Sequence, residues 1–288
     1  LDKITDSDLS KVNDLVEICA GSSRLIETTD SFSFSIDSNQ SLSEMARNFS
    51  EIIKGVTRDY NKLVDDLDGA VLDAYGIGDD VPLALVSGDI PSQRFPFAGQ
   101  LEQLVDKTEE VVFSWLVGAL FSRWTKTPAT KINQLEKDIF DSGFNLNIKA
   151  VDSLGYSYLV SDESSSRDIV SNLQNKIREL WPEKYDLVEM QICDGLKIKS
   201  LRAYAENPNK FFSNHLKQYS SSKRRAPIYW LWGVPSGGYC VFIYYPRLSS
   251  DSLFLLVNEE LDPKILEVEK KVNGFRSVLS KSASDEIE

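Results

Sequence analysis

Apolar residues recur at three- and four-residue steps through the longer stretches of this chain and alternate with polar ones in a few short stretches. Between 43 and 75, Met45, Phe49, Ile52, Ile53, Val56, Tyr60, Leu63, Leu67 and Val71 form one stripe among charged and polar neighbours. That spacing predicts an amphipathic helix of about eight turns. Ser41-Leu-Ser-Glu44 before it is a capping-box pattern, and Gly76 after Tyr75 suits a left-handed C-cap. A helix of this length is expected to pack against another long helix. A second stripe runs from 250 to 279 through Leu253, Leu256, Val257, Leu261, Ile265, Val268, Val272, Phe275 and Leu279. Pro263 lies inside it, so a kink or break is expected there.

Shorter pieces fill the space between. Ser10 to Cys19 has a weak helical pattern. Gln100 to Trp124 reads as one helix, apolar on more than one face from Val111 onward and therefore buried. Lys131 to Phe140, Ser165 to Leu180 and Lys184 to Cys193 read as further helices. So does Leu201 to Tyr219, with an interruption at Asn207-Pro208. Phe32 to Ile36, Asn145 to Ala150 and Tyr156 to Val160 alternate like short strands. Ala226 to Gly233 and Tyr239 to Tyr245 are rich in β-formers and joined by Pro235-Ser-Gly-Gly238, which predicts a hairpin. A proline- and glycine-rich connector covers Ile77 to Ala98. The fold class is α+β, mainly helical, with long amphipathic helices and a small β-hairpin or sheet region. Three segments are expected: 1–90 around the long helix, 91–200 of mixed character, and 201–288 with the hairpin and C-terminal helix.

Composition narrows the class. With 42% hydrophobic and 10% aromatic residues, the 288-residue chain is globular. Its longest apolar run, Val111 to Phe121, is too short to span a bilayer, which needs about 20 residues. Cys19, Cys193 and Cys240 form no metal or disulfide spacing, so a reduced, cytoplasmic chain is expected. The chain opens Leu-Asp-Lys-Ile-Thr-Asp, with no signal-peptide pattern and no initiator methionine, and reads as a fragment. His215 is the only histidine, which excludes a histidine-based triad or a multi-histidine metal site within the chain. There is no phosphate loop and no dinucleotide fingerprint. The acid pairs Asp65-Asp66 and Asp79-Asp80 read as solvated faces, and Cys193 and Cys240 as small hydrophobes. No catalytic and no metal-ligating residue is assigned.

Charge changes the picture more. The formal net charge is -12, yet Ser200 to Arg247 holds seven cations (Arg202, Lys210, Lys217, Lys223, Arg224, Arg225, Arg247) and one acid, Glu206. Cations neutralise phosphates and release counterions, and aromatics beside them can stack on an unstacked base. Alternation over Ile228 to Trp232 places Tyr229 and Leu231 on one face and Ile228, Trp230 and Trp232 on the other. One of the two sets is core.

The block Phe211 to Leu248, "FFSNHLKQYSSSKRRAPIYWLWGVPSGGYCVFIYYPRL", resembles the C-terminal region of large adenine-specific DNA methyltransferases. These are the BREX and DISARM phage-defence methylases and related fused restriction-modification enzymes. "LVDDLDGAVLDAYGIGDD" (63–80) is similar to a helix end of that family, and "EEVVFSWLVGALFSRW" (109–124) to one of its helices, in the same order. The family's catalytic domain precedes this region and carries a glycine-rich S-adenosylmethionine loop and an Asn-Pro-Pro-Tyr motif. Neither occurs here; the nearest match, Asn207-Pro208-Asn209, lacks the second proline and the aromatic. Arg225 also runs directly into Ala226, one step shorter than the family pattern.

The resemblance therefore implies the C-terminal portion of such an enzyme, as a fragment or the second half of a split gene. S-adenosylmethionine would belong to the parent enzyme, with no cofactor in this chain. The implied role is DNA binding, target recognition or scaffolding, with Lys217, Lys223, Arg224, Arg225, Tyr229 and Arg247 as DNA-binding residues. Expected partners are double-stranded DNA, a methyltransferase catalytic domain in cis or trans, and other defence subunits. The alternative is a protein-interaction module that docks a methylase or another defence subunit without touching DNA.

Overall fold

The computed structural model describes residues 5–23, 40–76, 95–123, 156–220, 227–233 and 239–285. They are mostly helical, with one small three-stranded antiparallel sheet, the mainly helical α+β class that the pattern predicts. Backbone contacts group the chain into two compact units, neither of them a continuous stretch. Leu1–Ser153 joins Asn175–Lys199, and Leu154–Gln174 joins Ser200–Glu288. The expected segment 201–288 thus shares its unit with a piece from far earlier in the chain. The expected strands at 32–36 and 145–150, the helix at 131–140 and the hairpin turn at 235–238 lie outside the described residues.

In the first unit α1 (Asp6–Ser23) is followed by α2 (Leu42–Tyr75), α3 (Ala98–Asp106) and α4 (Thr108–Leu120). α2 carries the expected caps. Ser41 Oγ accepts the Glu44 N–H, and Glu44 Oε2 accepts the Ser41 N–H at 2.7 Å. Gly76 closes the helix at φ 70°, a left-handed conformation that costs glycine little. α2 packs on α1, α3 and α4. Its first turns bury Leu42, Met45, Phe49 and Ile53, whereas Val71 and Tyr75 at the far end stand exposed.

The single helix expected at 100–124 is two helices, broken at Lys107 (φ -128°, ψ 34°). The second helix has its own start signal. Glu109 and Glu110 lie in the first turn, where the helix dipole favours acids, and Thr108 Oγ1 donates back to the Val105 carbonyl at 3.0 Å. α4 is buried on all sides from Val112 to Leu120, as its apolar run predicts. α5 (Ile169–Leu180) passes from one unit into the other, and α6 (Tyr185–Gly195) packs against α4. The Trp181 indole is fully buried and donates to the Gln40 carbonyl at 3.2 Å.

The second unit is built on the sheet β1 (Tyr158–Val160), β2 (Tyr229–Gly233) and β3 (Cys240–Tyr244), in the order β1-β3-β2. β3 is central and all five of its residues are buried. One face meets α8 (Phe211–Ser220), which packs in turn on α7 (Leu201–Ala205), and the two helices flank the expected interruption at Asn207-Pro208. The other face carries the cluster Tyr158, Val160, Val241, Ile243 and Leu256. Leu256 ends α9 (Ser252–Leu256), which runs through a π-helical turn (Val257–Leu261) into α10 (Asp262–Asp285).

The expected break at Pro263 takes the form of that π turn. Proline has no N–H and its ring crowds the carbonyl four residues back, that of Glu259. The widened turn absorbs the clash. Asp262 N–H reaches the Val257 carbonyl, five residues back, and the Asn258 side-chain amide donates to the Phe254 carbonyl at 2.8 Å.

Candidate nucleic-acid interface

α8 is set against the sheet by one aromatic face. Phe211, His215 and Tyr219, four residues apart, are all buried. The His215 Nε2 accepts the N–H groups of both Ile228 (3.2 Å) and Tyr229 (3.3 Å), so the only histidine pins the start of β2 to α8. Its ring lies 4.4 Å from Tyr219 and 4.7 Å from Tyr229. The role is architectural, and the sequence signal for it was the Phe211-His215-Tyr219 spacing.

This packing resolves the alternation in β2. Tyr229 is fully buried, with its ring against Phe211, His215 and Tyr244. It is a core residue, which corrects its assignment as a DNA contact: no duplex reaches its ring without opening the sheet. The other set faces outward. Trp230 is 38% and Trp232 46% exposed. Trp230 stacks on Tyr245 with centroids 5.7 Å apart and planes 18° apart, and Tyr245 is itself 52% exposed. Sequence reasoning left open which aromatics were presented, and it missed Tyr245.

Of the cations, Lys217 is exposed in the last turn of α8, and Arg247 is exposed at the end of the 3-10 turn Tyr245–Arg247. Lys223, Arg224 and Arg225 lie outside the described residues. Arg202, counted with the basic island, is spent inside the unit. It grips the fully buried Asp168 through two hydrogen bonds (2.8 and 3.1 Å) and also meets Glu163 and Glu206. Asp168 caps α5 as well, accepting the Ser171 N–H at 2.8 Å. Burial raises the Asp168 carboxyl, but the bonds from Arg202 and Ser171 outweigh it and hold it below the usual carboxylate range. The same pairing raises the Arg202 guanidinium.

The remaining chemistry is equally self-contained. The Cys240 thiol is pushed by burial up to about 11 and lies 3.3 Å from Ser161 Oγ, so it is protonated at neutral pH and no nucleophile. A polar cleft of about 400 Å³ beside the π turn is lined by Asp162, Ser164, Arg167, Glu259, Glu260 and Lys264, among others. Its charges pair with each other: Arg167 with Glu259 at 3.1 Å and Lys264 with Asp162 at 2.9 Å. Arg167 also lies over the Tyr158 ring, 4.4 Å from its centroid. The cleft clasps the 162–167 loop to the C-terminal helix. Among the described residues no group of histidines, cysteines and acids is placed to hold a metal, and no helix is long and apolar enough to cross a membrane. No protein-family model matches the chain, and no curated protein matches it.

Proposed function

We propose that this chain is the DNA-binding, target-recognition or scaffold portion of an S-adenosylmethionine-dependent, adenine-specific DNA methyltransferase of a BREX- or DISARM-type phage-defence or related restriction-modification system. The methyl transfer would be performed by a catalytic domain acting in cis or trans, and no residue here is assigned to the cofactor. One observation carries the reading. From Asn207 to Ser250 the sequence has six cations and no acid, and of these Lys210, Lys217 and Arg247 are exposed among the described residues. A run of positive charge without an acid, on a chain otherwise acidic, suits a polyanion. Phosphate contacts would come from Lys217, Lys223, Arg224, Arg225 and Arg247.

The test is a fluorescence-anisotropy titration with labelled duplex across a salt series. Affinity should fall linearly on logarithmic axes with salt, and replacing Lys223, Arg224 and Arg225 together by Glu should flatten the slope by about three. An unchanged affinity in that variant at low salt would sink the reading.

A second reading, the protein-interaction module, is favoured by the apolar stripe of α10. Ile265, Val268, Val272, Phe275 and Leu279 remain exposed by 41 to 70%. It gains if the chain ignores duplex at low salt yet co-purifies with a methylase domain.

A further inference from the structure

Two indoles in solvent at the edge of a three-stranded sheet are an unusual expense. Trp230 and Trp232 occupy the same face of β2, two residues and so about 7 Å apart. Across the strand pair stand Ile243 and Val241, both buried in the cluster under Leu256. The apolar cover therefore stops short of the outer strand and leaves both indoles at its margin. Trp230 has a seat, because Tyr245 supports it from the 3-10 turn. That turn ends in Arg247, so a cation belongs to the same short element as a supporting ring. No carboxylate occurs in β2, β3 or the turn.

We infer that the face formed by Trp230, Trp232 and Tyr245 binds unpaired nucleotides, the bases stacking on the rings and a phosphate meeting Arg247. This rests on the nucleic-acid reading above and names the form of the ligand. In a duplex the faces of the bases are covered by their neighbours, and a protein reaches only their edges and the phosphates. A flat, exposed ring has a partner only where a base has left its stack, in a single strand or at an extruded nucleotide. Stacked bases along one strand repeat every ~3.4 Å, so rings ~7 Å apart match alternate positions of an inserted strand. Exposed indoles without a ligand would also be an aggregation hazard on an edge strand.

The experiment compares a labelled single-stranded thymidine oligonucleotide with a duplex of the same length, by anisotropy on the whole chain at one low salt concentration. The expected result is single-strand binding about tenfold tighter than duplex binding. Trp230→Ala and Trp232→Ala should each weaken single-strand binding about tenfold, as loss of a stacking ring does. Both should leave duplex binding within about twofold, since phosphate contacts carry it. Trp230→Phe, which keeps a ring, should recover most of the loss and separates stacking from damage to the sheet; circular dichroism of each variant checks the fold. Duplex binding without single-strand preference would overturn this inference and leave the DNA reading standing. Single-strand binding indifferent to both tryptophans would overturn it as well. Binding to neither would remove both.

Discussion

At the scale of single residues, the pair Asp168–Arg202 decides most. The carboxylate is fully buried and accepts from Arg202 and Ser171, while the guanidinium keeps partial access to solvent. Removing Asp168 takes away an ion pair and the cap of α5 while Arg202 keeps Glu163 and Glu206, so Asp168→Ala should destabilise the protein by about 2 kcal/mol in urea unfolding at neutral pH. The carboxyl is depressed in the folded state, so it contributes stability above its ordinary unfolded value, about 3.9, and that share is lost as pH falls through the lower folded value. The gap between wild type and Asp168→Ala should therefore narrow below about pH 4. An equal gap at pH 7 and pH 3 would contradict the assignment. The sequence showed Arg202 only as one more cation of the basic island. Its partner lies 34 positions earlier, and nothing local marks it. Tyr229 failed for a related reason. Alternation separated two aromatic sets, but only the position of α8 decides which set it covers.

At the scale of elements, local signals were read well and tertiary ones poorly. α2 was legible because its stripe, capping box and closing glycine all lie within the helix or beside it. The break at Lys107 was missed although Thr108-Glu-Glu110 marks a helix start, because no glycine or proline between Leu101 and Val112 marks a stop. The stripe of the C-terminal helix was also read, but full burial stops at Leu256, before the π turn. Leu256 is buried in the sheet cluster, whereas Phe275 is 70% exposed. Leu256→Ala should cost about 3 kcal/mol, and Phe275→Ala about 0.5 kcal/mol or less, in thermal or urea unfolding. Comparable losses at both positions would mean that the distal stripe is covered within the folded chain.

At the scale of the molecule, the second unit depends on residues far apart in sequence. β1 pairs with β3 across some eighty positions, and Ser161 accepts the Cys240 N–H at 2.8 Å. A fragment spanning 200–288 lacks β1, Ser161 and Asp168, and is expected to remain unfolded, with poorly dispersed amide resonances. A fragment that folds would show that the Leu154–Gln174 piece is dispensable. The strand at Tyr158–Val160 was legible from its alternation, but three residues carry too little pattern to announce which strand it pairs with. The π turn has its own consequence for what the unit presents. Each residue of an α-helix advances the azimuth by about 100°. The wide turn at Val257–Leu261 therefore sets the phase of everything beyond it. Composition decides that α10 has a greasy side; the turn decides which way that side points. Shortening it by one residue would swing the stripe about a quarter-turn or more around the axis with every side chain intact, altering the surface by rotation alone.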